Sequence, residues 1–179
     1  MLGPFASGVD KKLVLQGTDL GLFAMEMTQI QQIPVLIPLV VGAAATVSTI
    51  FIHAMPLTGT VWFVRREKSL GHTGRAFWSD MRIIVLVILF AMGAHLIEIA
   101  LWAVVFLLCG EFPDFGTAYY HSAVNFTTLG YGDVLLSPRW RMLAPLEASN
   151  GMLMFGLSTA MVFAVILGLA QARFTDLRK

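Results

Sequence analysis

Residues 126–133 read FTTLGYGD, and they sit in a gap between two long apolar runs. Two glycines flank a tyrosine, and an aspartate follows them. A tight surface turn also uses Gly and Asp, so the stretch takes its meaning from its surroundings. After it, Leu143 to Ala172 holds no charge except Glu147. Before it, Met81 to Cys109 is interrupted only by Arg82, His95 and Glu98. A third run extends from Pro34 to Met55 and continues apolar to Val64. Each is long enough to cross about 30 Å of hydrocarbon as a helix. The expected fold class is therefore an all-α membrane protein with three transmembrane helices.

Composition agrees. Of 179 residues, 57% are hydrophobic and 13% charged, and the mean hydropathy is +0.76. Soluble domains carry roughly 25% charged residues, so most of this chain suits lipid. A net charge of +1 gives no general attraction to nucleic acid, and no such partner is expected. The single cysteine, Cys109, rules out an intrachain disulfide. The start, MLGPFASGVDKK, lacks a basic stretch leading into an apolar one, so no signal peptide is expected. Neither a nucleophile–base set nor a phosphate loop is visible, so no enzyme activity and no cofactor are expected.

Charge fixes the expected topology. The stretch VRREKSLGHTGRAFWSDMR carries Arg65, Arg66, Lys68, Arg75 and Arg82 against Glu67 and Asp80, and the end of the chain carries Arg173, Arg178 and Lys179. The positive-inside rule puts both on the cytoplasmic side of a cell (inner) membrane. Three spans then leave the N-terminus outside and the C-terminus inside. The segments expected are 1–33 extracytoplasmic, 34–64 a first helix, 65–80 a basic loop, 81–172 a pore domain and 173–179 a short tail. Within the pore domain they are an outer helix at 81–109, a pore helix at 114–127, a filter at 128–133 and an inner helix at 143–172.

Residues 110–142 have to join two spans on the outer side, yet they are too apolar for an ordinary loop. Pro113 and Asp114 suit a helix start, and the dozen or so helix-compatible residues after them are too few to cross the membrane. A short helix followed by extended backbone at membrane depth is tolerated only when buried in protein or lining a wet cavity. If Thr128 to Gly132 run along a pore axis with all carbonyls inward, the backbone must switch between right- and left-handed regions. Glycine enters the left-handed region without steric cost, and Gly130 and Gly132 stand at alternate positions. Tyr131 then points outward as a wedge, Thr128 adds a hydroxyl at the inner end, and Asp133 places a carboxylate at the outer mouth. Stacked carbonyls replace a cation's hydration shell. One chain supplies one strand of such a cage, so a homotetramer around a central axis is expected.

At this point the chain resembles the potassium-channel pore-domain family, whose hallmark is a TVGYG filter. The matching residues are Thr127, Thr128, Leu129, Gly130, Tyr131, Gly132 and Asp133, with leucine in place of the commoner valine. The resemblance covers residues 81–172 and is closest to small prokaryotic members with one extra N-terminal helix. It implies K⁺ held at Thr128, Leu129, Gly130 and Tyr131, and passive K⁺ conduction through a tetramer embedded in membrane lipid. It also implies an aromatic cuff at Tyr119 and Tyr120, and a bend of the inner helix at Gly151 or Gly156. Small residues at those two positions serve close helix packing equally well. Val124 stands near the place of the family's usual acidic partner for the outer aspartate, so support for Asp133 is expected from elsewhere, such as a tyrosine hydroxyl. Glu147 either braces the filter from behind or sits in water.

Other polar residues admit more than one reading. His95 and Glu98 share a face of the second span, and His53 lies in the first. They are a buried hydrogen-bond brace, a proton sensor or part of a metal site, with the brace preferred. The alternative function built on them is a proton- or metal-coupled transporter. Ser158 and Thr159 either line a wet cavity or bond back to their own helix. Gly42, Ala45, Thr46 and Thr49 make a small-residue face suited to packing, which makes the first span a peripheral brace. Arg139 and Arg141 are interfacial anchors with Trp140. No helix carries regularly spaced arginines of the voltage-sensing kind.

Overall fold

The computed structural model describes residues 35–71 and 77–176. Their regular structure consists of four helices: α1 (Leu36–Ser69), α2 (Phe77–Leu108), α3 (Phe115–Phe126) and α4 (Leu143–Asp176). Three of them, over Leu36–Ser69, Phe77–Leu108 and Leu143–Phe174, are long and apolar enough to cross a membrane. The protein is an all-α integral membrane protein. The expected N-terminal segment 1–33, residues 72–76 of the basic loop and residues 177–179 of the tail lie outside the described residues.

Local chemistry sets the ends of each helix. α1 continues past Val64 to Ser69, because nothing in VRREKS stops a helix, and Arg66 and Lys68 in its last turn face the negative end of the helix dipole. Leu70 and Gly71 then close it through bonds to Arg66 and Lys68 carbonyls. α2 begins at Phe77 and ends in a Schellman arrangement, with Gly110 N–H donating to Leu107 and Glu111 N–H to Phe106. α3 is capped by Asp114, whose carboxylate accepts from the Thr117 N–H at 2.9 Å and the Thr117 hydroxyl at 2.8 Å. These bonds hold the Asp114 carboxyl below the usual carboxylate range, the backbone N–H contributing most. At 12 residues α3 spans about 18 Å, too short to cross.

α3 packs between α2 and α4, and α1 lies against both of those helices. The core is aromatic: Trp102, Phe106, Phe126, Leu143 and Met154 are all buried. Trp140 belongs to this core, with the Arg139 guanidinium 5.3 Å from its ring centre, so it anchors the loop by packing inward. On α1 the buried residues Gly42, Ala45, Thr49 and His53 form one stripe facing the other helices, with Thr46 half-buried beside them. Arg173 near the end of α4 pairs with Asp80 near the start of α2 at 2.8 Å. The two helix ends therefore lie on the same side, opposite the loop that carries α3.

Candidate functional site

The FTTLGYGD stretch begins at the C-terminal end of α3, where Thr127 is the cap residue. Backbone N–H groups of the following residues turn back to α3: Thr128 donates to Asn125 at 2.8 Å and Leu129 to Val124 at 2.9 Å. The Thr127 hydroxyl donates to Ala123 at 2.7 Å. Thr128, Gly130 and Gly132 have φ of 63°, 55° and 73°, so every second residue is left-handed. Among the described residues, the carbonyls of Thr128 to Gly132 accept no hydrogen bond. The N–H groups of Thr128, Leu129 and Gly130 are thus anchored on α3, while the carbonyl oxygens of Thr128 to Gly132 are left without internal partners. Such an alternating backbone turns successive carbonyls to one side, which is the chemistry of a cation cage.

Several contacts support this segment. The Tyr120 hydroxyl donates to Asp133 at 2.7 Å, and this bond is the largest cause holding the Asp133 carboxyl below its usual range. Tyr119 reaches the Leu96 carbonyl at 3.5 Å, which ties α3 to α2. Glu147 is fully buried in a short contact with the Ser122 hydroxyl, which also stands 2.8 Å from the Ile99 carbonyl. It lies behind α3, away from water. His121 bonds the Val134 carbonyl at 3.1 Å and the Asn125 amide at 2.7 Å, so α3 also holds the segment beyond Asp133. Leu129 and Tyr131 are more than half exposed in the single chain.

Gly151 lies against the end of α3. A Cβ placed there would come 2.0 Å from the Phe126 carbonyl oxygen, whereas one at Gly156 would meet nothing within 4 Å. Close approach of α4 to Phe126 therefore depends on the missing side chain at 151.

A second polar group joins α1, α2 and α4. Glu98 takes His53 Nδ1 on one carboxyl oxygen at 2.9 Å and His95 Nδ1 on the other at 3.1 Å. On the far sides of both rings, Ser158 Oγ stands 3.2 Å from His53 Nε2 and 3.1 Å from His95 Nε2. Four contacts close a ring, and each needs one hydrogen. Ser158 and the two imidazoles bring three; the fourth is an acid proton held by Glu98 or by an imidazole. In both arrangements the ring has no net charge, which suits side chains that are all more than nine-tenths buried. The His95 ring packs 4.5 Å from Phe155 and 6.0 Å from Phe126, so the group abuts the end of α3.

The structure thus brings His53, His95 and Glu98 together and adds Ser158. Ser158 neither faces open water nor bonds back to its helix, whereas Thr159 does bond back, to Phe155 at 2.8 Å. Sequence reasoning passed over Ser122, His121 and Asn125, although a polar residue at every third or fourth position of an apolar re-entrant helix is itself a sign of buried partners. It also missed the pair of Asn150 and Thr49, bonded at 2.9 Å between α4 and α1.

Replacing Glu98 by alanine or glutamine tests the ring. Glutamine donates from its amide to one Nδ1 and accepts from the other, so all four contacts survive. Alanine leaves two buried imidazole nitrogens without partners, at about 1–3 kcal/mol each. Glu98→Ala is expected to lower the thermal stability of the detergent-solubilised protein clearly more than Glu98→Gln does; equal melting temperatures would show that the ring does not hold the helices.

Residues 82–167 match a family model described as ion channel. Comparison with curated proteins and with solved structures returns no match.

Proposed function

We propose, on the match of residues 82–167 to an ion-channel family model, that four copies of this chain form a channel that conducts K⁺ passively. The observation that carries this reading is the left-handed backbone at Thr128, Gly130 and Gly132, with carbonyls free of internal partners. K⁺ is held by the oxygens of Thr128, Leu129, Gly130 and Tyr131. Four strands complete the oxygen cage, which argues for a homotetramer. The exposure of α4 points the same way: only 17% of its most apolar window is buried within the single chain, against 39% for α2. Copies of the chain around an axis supply the missing cover. The basic end of α1 and Arg173 lie on the cytoplasmic side, and the filter mouth at Asp133 opens on the other. Of the two hinge candidates, Gly156 is the better, because the missing side chain at Gly151 serves packing against Phe126.

Purified protein in liposomes provides the test. Passive K⁺ flux well above Na⁺ flux and blocked by Ba²⁺ is the expected result, and native mass spectrometry is expected to give four chains. Flux that requires a proton gradient would favour the transporter reading instead.

Acid sensitivity offers a further check. The Tyr120 bond depresses the Asp133 pKa, so its contribution is present above the ordinary carboxylate range and is lost as pH falls through the lowered value. In Tyr120→Phe the Asp133 pKa returns toward the ordinary carboxylate range. The pH at which K⁺ flux fails on acidification is expected to rise in this variant, and an unchanged acid limit would show that the bond does not support the filter.

A further inference from the structure

We propose that His53, His95 and Glu98 form a binding site for one divalent cation of the Zn²⁺ class per chain, shared between α1 and α2 and backed by Ser158 of α4. One ligand atom from each of the three residues lies within 4.8 Å of the others. All three side chains are more than nine-tenths buried, at 1%, 4% and 0% exposure. Two imidazoles and one carboxylate are a ligand set that Zn²⁺ takes, with a fourth position left for water.

The orientation of the rings fits the proposal better than proximity alone. Both Nδ1 atoms face the Glu98 carboxylate, His53 on one oxygen at 2.9 Å and His95 on the other at 3.1 Å. Zn–ligand bonds of about 2.0–2.2 Å in a tetrahedron give ligand–ligand edges of roughly 3.3–3.5 Å. A small turn of the carboxylate that brings one oxygen to the ion, with an opening of a few tenths of an ångström at each nitrogen–oxygen contact, reaches that length. With the ion on both Nδ1 atoms, each Nε2 carries a hydrogen and needs an acceptor. Ser158 Oγ stands 3.1–3.2 Å from both and has two lone pairs. Metal-bound histidines almost always donate their second N–H in this way, which fixes ring orientation. One hydroxyl therefore acts as the outer partner of both ligands.

One side of the site borders a cavity. His95 and Ser158 line a cavity of about 410 Å³ together with Phe155 and Thr159. Most of its other walls are apolar, Ile88, Met92, Val162 and Phe163 among them. Glu98 supplies the one negative charge among the ligands. A soft monovalent ion would leave the hard carboxylate poorly used, and Ca²⁺ or Mg²⁺ requires six or more oxygen ligands that the site lacks. The bound ion would tie α1 to α2 and, through Ser158, to α4, next to Phe126 at the base of the filter.

The test uses the full chain in detergent, stripped with a chelator and titrated with Zn²⁺ alone by calorimetry. About one ion per chain is expected, with a rise in melting temperature on saturation. Co²⁺ is expected to give visible bands of a tetrahedral nitrogen–oxygen site. Glu98→Gln is the decisive variant, because it keeps the hydrogen-bonded ring and so the metal-free melting temperature, while it removes the anionic ligand. Its Zn²⁺ affinity is expected to fall at least tenfold and its Co²⁺ bands to disappear. If the stripped wild type binds no Zn²⁺, or if Glu98→Gln binds it as tightly as wild type, the site is a hydrogen-bonded brace only and the proposal is overturned. Neither readout depends on conduction, so the result stands apart from the question of K⁺ selectivity.

Discussion

Gly132→Ala is expected to cut K⁺ flux, or its preference over Na⁺, by tenfold or more while four chains still assemble. Gly132 has φ of 73°, and a Cβ there would meet nothing within 4 Å. The effect is therefore conformational and not a clash. An L-residue held left-handed costs roughly 1–2 kcal/mol, which becomes about 4–8 kcal/mol when four strands carry it. The chain can relieve this only by turning φ negative, and that swings a carbonyl away from the axis. Each 1.4 kcal/mol corresponds to about a factor of ten in a rate or an equilibrium, so a partial relaxation is enough to be measured. Gly93→Ala is the matched control: it also has open space around it, but it sits in α2 without a left-handed backbone. Parallel K⁺ and Na⁺ flux assays on the two variants decide the matter. Unchanged selectivity in Gly132→Ala, with intact tetramers, would place ion discrimination elsewhere in the chain.

How far such features can be read from sequence depends on whether their cause is local. The left-handed positions at Gly130 and Gly132 were legible because glycine is the residue that conformation favours. The one at Thr128 was not, because a β-branched residue disfavours it; there the bond from its N–H to Asn125 belongs to the turn that ends α3. The three long helices were legible from missing charge, but the overrun of α1 to Ser69 was not, since VRREKS contains no stop signal. His95 and Glu98 declared a shared face by their spacing. That His53 and Ser158 complete their ring depends on how α1 and α4 dock, which residue spacing within one helix does not encode. Glu147 shows the same limit. Its place in the chain fitted water or protein equally, and its partner Ser122 sits on another helix.

Gly151 stands where α4 meets the end of α3 that carries the FTTLGYGD segment, and Gly151→Ala is expected to damage assembly and conduction together. The added Cβ would lie 2.0 Å from the Phe126 carbonyl oxygen and 2.9 Å from its carbon, both of them backbone atoms that no side-chain rotation can move aside. Either α4 retreats or the end of α3 shifts. Retreat of α4 is opposed next door, where Asn150 is bonded to Thr49 of α1, and two turns further on, where Ser158 closes the ring with His53 and His95. A shift of Phe126 carries Thr127 and Thr128 with it, because they follow directly and hang from α3 by their N–H groups. Overpacking of this kind costs about 1–3 kcal/mol, and more against rigid backbone. Gly156→Ala, five residues on, meets open space and gains up to about 1 kcal/mol of helix propensity. The expected pattern is a clear fall in tetramer melting temperature and K⁺ flux for Gly151→Ala, and stability at or above wild type for Gly156→Ala. If α4 bends at Gly156 to open, that second variant also conducts less despite its stability. Equal melting temperatures for the two variants would mean that α4 does not rest against Phe126, and the coupling between inner helix and filter would have to run by another route.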